Sequence, residues 1–164
     1  MTWNVISQKL SFMNFVKSLI AGFAGAAALN ILHETMRKLD SEAPRMDLLG
    51  EEAVKKSAEA LHIDPPTGNK LYGVTLAGDV ISNASYFAAI GMGGKKYMLL
   101  RAIGAGVSAG ITALKAPEPL GLNEKHVGNT EKREVLTVAY YVFGALVTAG
   151  VLGLMTKKKS GFNN

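Results

Sequence analysis

The chain contains no cysteine among its 164 residues. That excludes a disulfide framework, a thiolate metal site and a cysteine nucleophile, and it says nothing about compartment. Recognisable catalytic motifs are missing as well. His33-Glu34-x-x-Arg37 is not the zinc-protease pattern, because arginine stands where the second histidine belongs. Gly104-x-Gly106-x-x-x-Gly110 lacks both the preceding strand and the spacing of a dinucleotide fingerprint. Asn83-Ala84-Ser85 matches a glycosylation sequon but falls inside an apolar stretch, with no loop to present it. No period of about 20–50 residues repeats, and no inverted-repeat transporter is visible. The basic clusters carry no interleaved aromatics of the kind that stack bases, so no nucleic-acid partner is expected.

What the chain does have is four apolar, Gly/Ala-rich stretches at about 12–32, 71–92, 97–114 and 135–155. A helix rises about 1.5 Å per residue, so about 20 residues cross the roughly 30 Å of a bilayer core. Two such stretches could be core helices of a soluble protein. Four in a chain this short leave few residues to cover them with polar surface. The pattern predicts an all-α protein, a four-helix transmembrane bundle forming one integral membrane domain over residues 1–164. A soluble bundle of buried Ala-rich helices is the rival. The mean hydropathy of +0.17 averages apolar spans with a long charged loop. Lys9, and Lys17 near the start of the first stretch, precede an apolar region with small residues around Gly25-Ala26-Ala27, as in a signal peptide. That region is too long for one and lacks a clean cleavage context, so a retained helix is expected.

The connections are legible too. Residues 1–11 carry Trp3, Val5, Ile6 and Leu10, a short amphipathic lead-in with Trp3 as an interfacial anchor. Pro44 breaks the chain after the first span, and Asp47 is placed to cap a new helix. Over 46–63 the positions Met46, Leu49, Ala53, Ser57 or Ala58, and Leu61 recur at helical spacing, opposite Glu51, Glu52, Lys55, Lys56 and Glu59. This amphipathic surface helix could cover the bundle, lie on the membrane or contact a partner. Asp64-Pro65-Pro66-Thr67-Gly68 ends it. Gly93-Gly94-Lys95-Lys96 predicts a tight antiparallel hairpin of spans two and three, and a loop with Pro117, Pro119 and Gly121 joins spans three and four.

The formal charge of +5 is concentrated at span ends, in Lys95-Lys96 and Lys157-Lys158-Lys159. With four spans both termini share a side with Lys95-Lys96, and these purely basic clusters favour a cytoplasmic placement for all three. Small residues four apart mark close helix packing: Gly22/Ala26 and Ala21/Gly25 in span one, Gly144/Thr148 and Ala145/Ala149 in span four. Span three carries two such stripes, Gly104/Ser108/Thr112 and Ala102/Gly106/Gly110. Packing within the bundle is the first reading and self-association the second. Arg101, near the Lys95-Lys96 end, is expected to snorkel to headgroups.

Polar residues within spans are costly and are site candidates by default. Asp79 falls roughly 12 Å into span two from the long-loop side, with Asn83 one turn deeper. Span one brings Asn30, His33 and Glu34 to a similar or shallower depth, and span four brings Thr137, Tyr140 and Tyr141. Three helices thus deliver polar groups to one layer. The layer has three readings. It is a satisfied hydrogen-bond network that fixes packing; or Asp79 with His33 or Glu34 carries protons or a cation; or His33, Glu34 and Asp79 hold a metal. The bland reading of Glu34 is an ion pair with Arg37 or Lys38.

The stretch Ala43-Pro44-Arg45-Met46-Asp47-Leu48-Leu49-Gly50 follows His33-Glu34 and precedes Leu76-Ala77-Gly78-Asp79 and Asn83. In this the chain resembles small four-span bacterial integral membrane proteins of uncharacterised function. The resemblance implies a fold and a bacterial cell membrane but no activity, and it singles out the same His, Glu, Asp and Asn residues. The expected function is therefore an accessory or scaffold membrane component with a structural polar layer. A proton- or cation-coupled carrier or channel component using Asp79 is the alternative, and a membrane-embedded metalloenzyme is third. The cofactor is unknown. The expected partners are the lipid bilayer and another membrane protein or a second copy of the chain.

Overall fold

The computed structural model describes residues 2–93 and 95–156, with side chains from Asn14 onward. The described residues are all-helical, without a strand. The helices are α1 (Thr2–Leu39), α2 (Met46–Ala60), α3 (Gly68–Ala88), α4 (Met98–Lys115), α5 (Lys125–Gly128) and α6 (Glu131–Met155). Single turns of 3₁₀ helix follow α3 at Ala89–Gly91, precede α4 at Lys95–Tyr97 and lie in the last long loop at Glu118–Leu120. The lead-in before the first span is continuous with α1. The anchoring role of Trp3 and the Lys157-Lys158-Lys159 cluster lie outside the described side chains.

Three segments are long and apolar enough to cross a membrane: Asn14–Leu39, Lys95–Lys115 and Glu131–Met155. The second expected span, α3, is not among them. It has the length, but Asn69, Lys70, Asp79, Ser82, Asn83 and Ser85 dilute its apolar residues.

The helices are arranged in the order α3, α1, α6, α4, with α1 packed between α3 and α6, and α6 between α1 and α4. Small residues set these contacts. A side chain on Gly22 would run into the backbone of Ala84 and Ala88, and one on Gly25 into Gly144 and Thr148. A Cβ on Gly106 would stand 2.5 Å from Val142 Cα, and one on Gly110 2.6 Å from Val138 Cα. The Ala102/Gly106/Gly110 stripe is therefore the α4–α6 seam, and the Gly104/Ser108/Thr112 stripe is exposed. Leu29, Phe87, Ile90, Ala102, Ala145 and Leu152 form the packed centre. Large apolar side chains such as Phe23, Ile81, Leu100, Ile103 and Ile111 stand on the outside.

Two expectations need correction. Spans two and three are joined by a short connection, but α3 and α4 sit at opposite edges of the arrangement and do not pack as a hairpin. Each finds a closer seat elsewhere, α3 over Gly22 and α4 over its own Gly106 and Gly110. Arg101 does not simply snorkel outward. Its Nε donates to the Ile90 carbonyl at 3.0 Å, and its guanidinium lies against Gly93, so it braces that connection.

At the long-loop end α2 covers the bundle. Leu49 and Ala58 are buried, and Gly50 lets α2 cross α3 closely, because a Cβ there would meet Thr75 Cγ2 at 2.5 Å. Lys56 bonds the Gly121 carbonyl, Glu52 accepts from the Asn123 amide at 2.9 Å, and Arg45 N–H donates to the His126 carbonyl at 2.8 Å. Arg133 donates to the carbonyls of Ser41, Glu42 and Lys125 at 3.0–3.2 Å. Thr130 caps α6 by accepting from Arg133 N–H at 3.2 Å, with Glu131 and Glu134 in the first turn.

Candidate functional site

The polar residues cluster where α1, α3 and α6 meet under the N-terminal end of α2. On α1, Asn30, His33, Glu34 and Arg37 follow one another at helical spacing, so His33 turns inward and Arg37 reaches the α2 entrance. His33 is 8 % exposed. Its ring meets Tyr140 edge-on, with centroids 5.3 Å apart, and Tyr141 at 6.2 Å. On α3, Thr75, Asp79 and Asn83 stand four residues apart on one face. Asn83 Nδ2 donates to Asp79 Oδ1 at 3.0 Å. The Asn30 amide donates to the Ala26 carbonyl at 3.0 Å and also reaches the Asp79 carboxylate. Thr137 turns away from this layer and donates to the Val127 carbonyl at 2.8 Å, fixing α5 on α6.

A cavity of about 280 Å³ opens between α1, α3 and the start of α2. His33, Asp79, Thr75 and Asn30 form its polar wall, and Ile31, Met46 and Leu76 its apolar one. Over it lies a chain of ion pairs: Glu34 to Arg37 at 2.6 Å and to Lys38 at 3.3 Å, Arg37 to Asp47 at 2.8 Å, and Arg45 to Asp47 at 2.7 Å. Tyr72 OH donates to Glu34 at 3.3 Å. Glu34 is thus an ion-paired residue of the rim. Asp47 is no helix cap. It sits inside the first turn of α2, where the backbone before it places Arg45 at the cap position without a side-chain bond. Burial alone would raise the Asp47 carboxyl, but the hydrogen bonds and charge of Arg45, joined by the charge of Arg37, outweigh it and hold the carboxyl below its ordinary value.

Hydrogen bonding in this layer is incomplete. Both ring nitrogens of His33, the hydroxyls of Thr75 and Tyr140, and Arg37 Nε are buried without a hydrogen-bond partner among the described residues. A closed structural network would pair them, because each buried unpaired polar group costs about 1–3 kcal/mol. Asp79 also lines a second space, of about 420 Å³, beneath α2 between α3 and α4, with Asn83, Tyr86 and Tyr141. No three His, Asp or Glu side chains among the described residues converge as a metal-ligand set, so His33, Glu34 and Asp79 do not form one.

Thr75, Tyr72, Arg37 and Asp47 belong to the site and were not among the expected site residues. Thr75 was within reach of the sequence, four residues before Asp79 on the same face. The Arg37–Asp47 pair spans a loop and leaves no periodic signal. No protein-family model matches the chain, nor does any curated protein or solved structure.

Proposed function

We propose that the chain is a four-span integral membrane protein and an accessory component that holds a small polar ligand in an interfacial cavity. The observation that carries the ligand-holding role is His33, buried with both ring nitrogens unpartnered among the described residues and lining a cavity together with Asp79. The polar layer occupies the α2 end only. Beyond it Leu29, Phe87, Ile90 and Ala145 close the centre of the bundle, which favours a one-sided pocket over the carrier or channel reading. α3 is taken as the fourth span because it lies along α1, and Val74, Leu76, Ile81 and Tyr86 turn apolar surface outward. The short basic clusters support a bacterial cytoplasmic membrane with Lys95-Lys96 and both termini inside.

The absence of native cysteine makes the test simple. Glu59→Cys and Lys96→Cys are expected to lie on opposite sides, so a membrane-impermeant maleimide applied to intact cells labels position 59 alone. Labelling of both, or of neither until lysis, places them on one side and overturns the four-span reading. A proton flux in proteoliposomes above that of empty vesicles, lost in Asp79→Asn, would overturn the ligand-holding reading in favour of a carrier.

A further inference from the structure

We infer that a cavity at the end of the bundle opposite α2 binds a phosphate group with no ammonium beside it, carried by an anionic lipid headgroup or free in solution. About 22 Å of α1 separate Ser18, in its wall, from His33, so this site is independent of the one beneath α2.

Charge divides the chain sharply. None of the 13 Asp and Glu falls in 1–33, 80–117 or 135–164, although these segments hold Lys17, Lys95, Lys96 and Arg101. At the α2 end the cations have carboxylate partners, as in the pairs of Arg37, Arg45 and Lys132 with Asp47 and Asp40. At the opposite end no Asp or Glu is available to any of them.

Four parts of the chain wall the cavity, which measures about 220 Å³. α1 brings Lys17 and Ser18, the α3–α4 connection brings Gly91 and Lys95, α4 brings Arg101, and α6 ends there in Thr156. Gly91 lets the connection settle on α1, because a Cβ there would stand 2.1 Å from Ser18 Oγ. Lys95 Nζ bonds the Thr156 carbonyl, and Arg101 Nε donates to the Ile90 carbonyl at 3.0 Å. Carbonyl partners fix where these two cations stand and leave their charge uncompensated. Capping the end of α6 and bracing the connection are thus sufficient reasons for Lys95 and Arg101. They give none for Lys17, which is half-buried in the same wall and makes no hydrogen bond or ion pair among the described residues. The three cations need not meet at one atom, since their attraction for an anion acts over a Debye length, about 8 Å at physiological ionic strength.

Phosphate is the anion found at headgroup depth, and basic pockets between spans suit it. Met98 and Leu152 complete the wall, and Phe15, Leu19 and Leu99 on the same turns of α1 and α4 are exposed. An acyl chain leaving the cavity meets that apolar surface, which favours a lipid phosphate over a free one.

The experiment is a titration of the delipidated full chain in maltoside detergent, read by native mass spectrometry. The probes are dihexanoyl-phosphatidylglycerol, dihexanoyl-phosphatidylcholine and inorganic phosphate. The glycerol lipid is expected to saturate at one per chain and to bind about tenfold or more tightly than the choline lipid, whose own ammonium opposes the pocket cations. Lys17→Gln is expected to cut that preference about fivefold, and Lys17→Gln with Lys95→Gln to erase it. Lys55→Gln, an equal loss of charge on the exposed face of α2, should leave it unchanged. Inorganic phosphate binding as tightly as the glycerol lipid supports the site and assigns it to a soluble phosphate. Equal binding of the two lipids, a preference that survives the double variant in folded protein, or one that Lys55→Gln lowers as much as Lys17→Gln overturns the proposal. If the double variant does not fold, Lys17→Gln against Lys55→Gln decides.

Discussion

Replacing His33 by Phe separates a site from a structural layer. If His33 existed to fix packing, its nitrogens would be paired, and an apolar replacement would cost stability. Among the described residues neither nitrogen has a partner, although His33 is only 8 % exposed. Removing an unpaired buried polar atom recovers about 1–3 kcal/mol. One nitrogen is credited, as the conservative figure. The edge-on contacts with Tyr140 at 5.3 Å and Tyr141 at 6.2 Å are open to a phenyl ring. The extra volume of Phe has the adjoining 280 Å³ to enter, so overpacking adds little. The expected outcome is a gain of about 1–2 kcal/mol for delipidated protein in detergent. In a chain of this size that is a rise of roughly 2–8 °C in the unfolding midpoint. The assay is thermal unfolding by far-UV circular dichroism, checked by an equilibrium denaturant titration in mixed micelles. A loss of 1 kcal/mol or more would refute the reasoning, because it would mean the imidazole makes bonds that the phenyl cannot replace.

Two further outcomes are expected. Gly106→Ala should destabilise the α4–α6 seam by about 1–3 kcal/mol relative to Gly104→Ala, since the first methyl would meet Val142 backbone and the second meets nothing within 4 Å. Both changes gain the same helix propensity, so their difference in denaturant midpoint reads the clash, and equal effects would contradict the seam. Asp47→Asn should lower the unfolding midpoint at pH 7, with a gap to the native chain that closes on acidification. The folded carboxyl lies below its ordinary value, so its contribution is present above about pH 4 and is lost as pH falls through the depressed folded value; a gap unchanged down to pH 2 would contradict it.

Helical class and the positions of the elements were readable because the signals are local. The periodicity of α2, the Pro65-Pro66 stop and the Gly106/Gly110 stripe each lie within a few residues of one another, whereas α6 starts at Glu131, four residues before the apolar stretch that marked it. The depth arithmetic that put His33, Asp79 and the two tyrosines in one layer used only the rise of a helix and the direction of each span. What escaped depends on how helices sit beside one another. The short α3–α4 connection suggested a hairpin, yet neighbours are chosen by backbone approach, and Gly22 and Gly106 gave each helix a different one. Arg37 meets Asp47 only because Pro44 and the loop before it fold α2 back over α1. The sequence also could not say which polar groups would be left unpaired, because that is decided by tenths of an ångström.

The weak hydropathy of α3 and the presence of the cavity have one cause. On the four-span reading Asp79 costs α3 about 2.5–3.5 kcal/mol on insertion scales, and α3 carries Asn83 and Ser82 close by as well. A helix selected only to pack against α1 would need none of them, since Leu71, Ala84, Phe87 and Ala88 already supply its buried face. Asn83 and Asn30 offset part of the cost of Asp79 by giving its carboxylate donors, and they do so without neutralising it. The ion pairs of Glu34, Arg37, Arg45 and Asp47 hold α2 over the same carboxylate while satisfying one another. The arrangement thus keeps an aspartate with no ion pair among the described residues in the wall of a cavity that α2 roofs. Fold stability alone gives no reason for that combination, whereas the ligand-holding reading of the cavity does.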